Sequence, residues 1–540
     1  MDRAARGIAA VLACLVTSAS AADAMVAWRR DAGIEWRTLE GKATSLPTQV
    51  PLGSLWKLFV YAYLNDTGAH EPAYRCAAKQ RQAASDEDYC CPPGGSVERD
   101  EALAKSCGPY FDPQRLDIAA GEWRKYWHSE DNQAAWLSEL GQMAPQTRVA
   151  PAELLAALDA VSPTARRAAR RALLAVLLEG YGRNAWPDLG SGPRFKTYSW
   201  HDDAGAAIGG GAGWLADGTP FWFAGPGASR NVLDRYAARL AAALPPLKAI
   251  DDEAASCVDV RFFARYPIKR IRQASDDDAV VEFANGNRLR IRPARRLELA
   301  EEGGQPVIRG RFALEDYVAR VIDREGDTRQ TEAARALAVA ARTYVTQRGR
   351  PLAGCMSIDD DSRTQRVSAN PPTVAALAAA RFTEDLTLRV PVRYHRDRAA
   401  TNTLSWQRAV TLAKGGARFD AILADAYGNA AIGGPAAEDC QRLADAERWL
   451  DRRTLAWRRQ LRAHPGFEAP PAVTVCALPS GNPYSDQARD RIYVRDWMSA
   501  QGRLALTHEY LHLAFRFHPD GGDETFIERT ARTLESGVQP

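Results

Sequence analysis

Pro51-Leu52-Gly53-Ser54-Leu55-Trp56-Lys57-Leu58-Phe59-Val60-Tyr61 sets a serine and a lysine three positions apart at the start of an apolar run. On a helix, Ser54 and Lys57 lie one turn apart on one face, close enough for the amine to deprotonate the hydroxyl. The apolar continuation to Leu64 predicts a buried helix whose reactive end is its N-terminus. S-x-x-K alone occurs on many surface helices, so its weight depends on companion motifs further along the chain.

Two later stretches come in a telling order. Ala102-Leu103-Ala104-Lys105-Ser106-Cys107-Gly108-Pro109-Tyr110-Phe111 looks like the S-x-N motif of penicillin-binding proteins, and Phe195-Lys196-Thr197-Tyr198 is similar to their K-T-G strand. Gly213 to Gly225 is similar to the returning strand of the same sheet. The resemblance implies a penicillin-binding or β-lactamase-like domain over residues 25–247, with Ser54 as nucleophile and Lys57 as its base. Two motifs depart from the pattern: Gly108 replaces the amide of S-x-N, and Tyr198 replaces the glycine that lets substrate approach the K-T-G strand. Both departures favour binding or scaffolding over acyl transfer.

The run Ala243-Leu244-Pro245-Pro246-Leu247 into Asp251-Asp252-Glu253 reads as a linker. Beyond it, Val258 to Ile271 and Ala279 to Phe283 read as strands, with Asn285-Gly286-Asn287 as a turn. A helical run extends from Glu332 to Tyr344. The segments from Leu314 to Tyr344, and Ser405-Trp406-Gln407-Arg408-Ala409 through Gly415-Gly416 to Tyr427, resemble the SpoIID (amidase-enhancer) family of peptidoglycan lytic transglycosylases. Residues 250–433 are therefore expected to form a β-rich SpoIID-like domain, with Glu325 where that family has its catalytic glutamate. A lone glutamate can protonate a glycosidic oxygen if burial raises its pKa. The family's H-G-x-G-M-S-Q becomes Thr401-Asn402-Thr403-Leu404-Ser405-Trp406-Gln407, and of its Cys and His metal-associated positions only Cys355 is evident, with Arg363 near the histidine's place.

Near the C-terminus, Leu504-Ala505-Leu506-Thr507-His508-Glu509-Tyr510-Leu511-His512-Leu513-Ala514-Phe515 is an H-E-x-x-H whose only acidic or basic residue besides the histidines is Glu509. On a helix His508 and His512 share a face and can reach one Zn2+, while Glu509 beside that face can take a proton from the attacking water. Pro519-Asp520-Gly521-Gly522 ends this helix, and a second, Glu524 to Leu534, turns Ile527, Ala531 and Leu534 inward. The arrangement resembles the gluzincin metallopeptidases, which implies a third zinc ligand on the second helix, Glu528 with Glu524 next; His518, before that helix, is a further candidate. Residues 434–540, with an amphipathic helix from Asp439 to Arg462 and strands Val473 to Leu478 and Arg491 to Val494, are expected to form a small zincin-like domain.

Composition sets the frame. A chain of 540 residues, 46% hydrophobic and 25% charged, is long enough for roughly three or four domains of ordinary globular protein. A net charge of +3 gives no reason to expect a nucleic-acid partner. Met1 to Ala24 reads as a signal peptide: Arg3 and Arg6, an apolar core Gly7 to Val16, then Ala19-Ser20-Ala21. Nothing else approaches the ~20 apolar residues of a membrane span. The mature chain is thus expected in the periplasm or outside the cell. It would carry eight cysteines there, an even number in an oxidising compartment, with pairing open.

The expected class is multidomain α+β. The domain order resembles a secreted bacterial family, the YfaQ-like proteins. It implies action on peptidoglycan or cell-envelope proteins by a zinc-dependent peptidase with wall-binding N-terminal domains. The competing readings are a non-catalytic envelope scaffold, and a lytic transglycosylase acting through Glu325.

Overall fold

The structure is a computed structural model. It describes residues 23–537 apart from 32, 73, 77–95, 129–133, 179, 181, 183, 203–204, 248–256, 276, 293–296, 353–354, 398–399, 401, 429–431, 435–442, 471–472, 479–482, 488–490 and 517. Residues 1–22 of the signal-peptide reading, Cys90, Cys91, Cys440 and Thr401 lie outside the described residues; Ala24, which that reading included, instead opens a buried strand.

In the first domain both ends of the segment build one antiparallel sheet. Its order is Gly33–Glu40, Ala24–Arg30, Pro220–Pro226, Ala207–Trp214 and Arg194–His201. Ala24 to Trp28 are buried because this strand pairs on both sides, a placement that the sequence pattern does not foretell. The helix Ser229–Ala243 covers one face through Val232, Leu233 and Tyr236. The remaining helices, among them Trp56–Thr67, Arg99–Lys105 and Pro163–Leu178, fill the long excursion between the second and third strands in chain order. The Trp56–Thr67 helix is buried from Trp56 to Leu64, as its unbroken apolar run dictates, and ends at Gly68 in the left-handed conformation.

The middle segment is mixed rather than β-rich. A five-stranded sheet, ordered Glu298–Glu302, Gln305–Ala313, Cys257–Phe262, Cys355–Asp359 and Arg350–Leu352, packs against helices Leu314–Glu325, Thr331–Arg348 and Val374–Phe382. A three-stranded sheet, Ile268–Ser275, Asp278–Phe283 and Arg288–Ile291, lies beside it. Cys257 and Cys355 form a disulfide, so Cys355 does not stand as a free metal-associated thiol. The crosslink closes a separation of 98 residues. Cys257→Ser is expected to lower stability by roughly 2–5 kcal/mol in a urea titration under non-reducing conditions.

The helical half of the middle segment shares a core with the first domain. Leu174 sits among Leu337, Leu386, Phe419 and Leu423, and Trp186 meets Phe419 edge-on at 5.3 Å. Charged partners reinforce the seam: Arg170 pairs with Glu384 at 2.6 Å and Arg194 with Asp385 at 3.1 Å. Burial pushes the Glu384 carboxyl up to about 7 despite its arginine partners.

The last segment sets helix Ala444–Leu461 on helix Ala500–Ala514, with Trp457 against Tyr510. A three-stranded sheet, ordered Thr474–Ala477, Arg491–Val494 and Tyr484–Asp486, completes the core. Its edge strand Tyr484–Asp486 runs antiparallel to its neighbour. Among the described residues no helix is long and apolar enough to cross a membrane.

Candidate functional sites

Ser54 lies in a 3-10 turn, Gly53–Leu55, that feeds directly into the helix bearing Lys57. Lys57 Nζ donates to Ser54 Oγ at 2.8 Å, so the spacing read from sequence does bring the pair together. A third group joins them. Ser106 caps the Arg99–Lys105 helix in the left-handed conformation (φ 65°), and its Oγ lies 2.8 Å from Ser54 Oγ and 3.3 Å from Lys57 Nζ. The motif around Ser106 is legible in the sequence, but not that a helix-capping turn aims this hydroxyl at Ser54.

Tyr198 is buried beside the turn that carries Ser54. Its ring turns inward against Gly53, whose φ of 47° and lack of a Cβ allow the contact, and its hydroxyl accepts from Trp222 Nε1 at 3.2 Å. Ser54 is only 4% exposed, and Lys57 and Lys196 are fully enclosed. A fluorescent penicillin is therefore expected to label the chain weakly or not at all. Strong labelling lost in Ser54→Ala would show a working acyl transferase.

Glu325 closes the Leu314–Glu325 helix, and one of its oxygens accepts from the backbone N–H of Arg366 at 2.5 Å. Burial raises its carboxyl to about 7, against the lowering effect of Arg366 and the Tyr394 hydroxyl. Tyr394 also accepts from buried Gln365 Nε2 at 2.8 Å, and Tyr317 donates to the Gln365 carbonyl. A half-buried acid with that pKa can be protonated near neutral pH, which a glycosidic proton donor requires.

The third site lies between helices Ala500–Ala514 and Glu524–Ser536. The Nε2 atoms of His508 and His512 face each other at 3.1 Å. The two oxygens of Glu524 lie 3.2 Å from His508 Nε2 and 3.5 Å from His512 Nε2. His508, His512 and Glu524 thus present one ligand atom each, all within 4.8 Å of one another. Glu528 stands elsewhere: its Oε2 is 3.1 Å from Nδ1 of His508, on the far side of the ring. Glu524 opens the second helix one turn earlier than Glu528, and that turn is level with the Nε2 pair. His518 caps the Pro519–Gly522 turn and takes no part in the cluster.

The donor set fits a cation. His512 Nδ1 is 2.8 Å from the carbonyl oxygen of Gly521, which can only accept, so this nitrogen carries the proton. His508 Nδ1 faces the Glu528 carboxylate, itself held by Arg532 at 2.8 Å. With both Nδ1 atoms donating, both Nε2 atoms turn lone pairs toward one another and toward the Glu524 oxygens. Such a cluster repels itself unless a proton or a metal ion sits in it, and acceptors on the outer ring nitrogens are the usual support of metal-binding histidines. Glu509 is 7% exposed, and burial raises its carboxyl even though His512 and His508 pull the other way. The Ser485 side chain, on the edge strand, hydrogen-bonds it. A groove of about 980 Å³ opens beside His508, Glu524 and Glu528.

Comparison with known proteins places these sites in context. The family described as "Predicted secreted protein (DUF2300)" matches residues 82–206 and 402–520, which include Ser106, Lys196 and the two histidines. The two matched stretches meet in the fold, where Arg495 pairs with Glu101 at 3.3 Å. The family described as "Stage II sporulation protein" (SpoIID) matches residues 304–410, including Glu325. Two solved structures resemble part of the chain. The transpeptidase domain of the FtsI4 D,D-transpeptidase from Legionella pneumophila has 13% identity and TM-score 0.28, covering 41% of this chain and 88% of its own. The class A beta-lactamase of the last common ancestor of Gram-negative bacteria has 14% identity and TM-score 0.27, covering 41% and 93%. The chain is a multidomain mixed α/β protein with a SpoIID segment, of a predicted secreted kind. The uncharacterized protein YfaQ of Escherichia coli (strain K12) is 42% identical over 512 residues, 91% of either chain, and the chain belongs to the YfaQ family.

Proposed function

We propose that the chain is an exported cell-envelope protein that acts on peptidoglycan or on proteins attached to it, through a zinc-dependent peptidase site in its last domain. The observation that carries this reading is the convergence of His508 Nε2, His512 Nε2 and the Glu524 carboxylate, with both outer Nδ1 atoms already engaged. His508, His512 and Glu524 would hold the ion, and Glu528 and the Gly521 carbonyl would orient the two imidazoles. Zinc, when bound, supplies Lewis-acid polarisation of a carbonyl and lowers the pKa of water. Glu509, next to the ligand face and shielded from solvent, accepts the proton of the attacking water and passes it to the leaving amine. The edge strand Tyr484–Asp486 beside this helix offers backbone groups for an extended peptide. Hydrolysis of a muropeptide and envelope-protein panel, with and without a chelator and with zinc restored, tests it. Activity lost on chelation and regained with zinc supports the reading; activity indifferent to chelation overturns it.

A second reading has its own observation, the burial-raised carboxyl of Glu325. It makes the SpoIID segment a glycan-binding module with residual proton-donor capacity. Cleavage also needs groups that position the sugar and stabilise developing charge, and Asn402-Thr403-Leu404 supply none of the lost histidine and glycines. The full chain is expected to sediment with purified sacculi while releasing few anhydro-muropeptides, and Glu325→Gln should leave sedimentation unchanged. Robust release that vanishes in Glu325→Gln would make this segment the principal enzyme.

A further inference from the structure

The turn that orients His512 is itself held by a residue of the SpoIID segment. Asn402 Nδ2 donates to the carbonyl of Gly522 at 2.8 Å, across 120 positions of sequence. The preceding carbonyl, Gly521 O, is the one that takes the Nδ1 proton of His512 at 2.8 Å. The fit is close: a Cβ on Gly522 would lie 1.9 Å from Asn402 Nδ2, and one on Gly521 would lie 2.2 Å from Phe515 O. Gly521 cannot change without displacing the turn, and a side chain at Gly522 would push the Asn402 amide from its place.

Asn402 is itself constrained. Its φ is 53°, in the left-handed region that asparagine enters more readily than most residues. Its carbonyl accepts from Arg393 N at 3.3 Å, within the parallel pairing of Arg393–His395 and Thr403–Ser405. The next residue on the first of those strands is Tyr394, whose hydroxyl reaches Glu325. A continuous series of contacts thus runs from Glu325 through Tyr394, Arg393 and Asn402 to Gly522, Gly521 and His512.

We infer that Asn402 is a positioning residue for the metal site, reaching it from another domain, so that the SpoIID segment sets how tightly the last domain holds zinc. The inference rests on the zinc reading above. Physically, the Asn402 amide fixes the plane of the Gly521–Gly522 turn, and that plane aims the Gly521 carbonyl at His512 Nδ1. With the amide removed, the turn can rotate, the His512 tautomer loses its partner, and the Nε2 lone pair no longer points at the site.

The experiment compares the full-length wild type with Asn402→Gly and Asn402→Asp. Glycine accepts φ of 53° without strain, so this variant removes the amide and leaves the backbone comfortable. Aspartate keeps the shape but sets an acceptor against the Gly522 carbonyl. Zinc affinity is measured by competition with a chromophoric chelator, using the metal ion alone. Melting temperature is recorded with and without zinc. The expected result is affinity weakened by about 10-fold or more in both variants, with the metal-free melting temperature unchanged and the zinc-induced rise reduced. Affinity within about twofold of wild type in Asn402→Gly overturns the inference while leaving the zinc site standing. So does an equal fall of melting temperature with and without zinc, which marks a merely structural contact. A wild-type chain that binds no zinc overturns both the site and its positioning residue.

Discussion

Glu509→Gln is expected to lower peptide hydrolysis by roughly 10²–10⁴-fold while leaving about one zinc per chain in place. The substitution would remove the proposed proton acceptor but not a ligand, because the atoms that could face a metal belong to His508, His512 and Glu524. Glu509 has no packing duty that glutamine would spoil: the amide is the same size, and Ser485 can still hydrogen-bond it. Folding should therefore be preserved, and the loss should appear in kcat rather than in KM. Hydrolysis rates beside elemental analysis of the same preparations check this. Retained hydrolysis would remove Glu509 from the chemistry, and lost zinc would make it a structural neighbour of the site.

The second large effect concerns Glu325 and pH. Folding raises this carboxyl from its ordinary 4.5 to about 7, so between those values the folded chain binds more protons than the unfolded one. Stability must then fall as pH rises through that window and stay reduced above it. The whole difference is at most roughly 3–4 kcal/mol, from 1.36 kcal/mol per pKa unit over about 2.5 units. Glu325→Gln has no charge to bury and keeps an acceptor for the Arg366 N–H. The variant is therefore expected to match wild type near pH 4 and to become progressively more stable than it by about pH 8. Glu384, also raised to about 7, is present in both chains and cancels in the comparison. Urea midpoints across pH decide it. A constant offset between the two chains would show that Glu325 is not held in a desolvated place.

Local periodicity carries much of this architecture. The apolar run from Leu58 to Leu64 and the four-residue histidine spacing each come from one helix, and both pairs of side chains do meet. Ile527, Ala531 and Leu534 face inward as their stripe demands. What fails is what two elements decide together. Whether Glu524 or Glu528 faces the Nε2 atoms depends on how the second helix is set against the first, a matter of the Pro519–Gly522 turn and not of helical spacing. Tyr198 reads only as a side chain in place of a glycine; that its ring seats against Gly53, next to Ser54, comes from packing between two elements. Cys257 and Cys355 are far apart in sequence and meet only because their strands pair in parallel. Asn402 reads as part of a lost catalytic motif, and only the packed turn shows what its amide holds.

The cluster between the two helices of the last domain is expected to bind a metal ion and not to be a mere charged seam. Elemental analysis of the purified full-length chain, beside His508→Ala and Glu524→Ala, tests it most directly. About one zinc per wild-type chain is expected, lost in His508→Ala and held at least 10-fold more weakly in Glu524→Ala. Zinc content unchanged by His508→Ala, or a wild-type chain that takes up none, would contradict it.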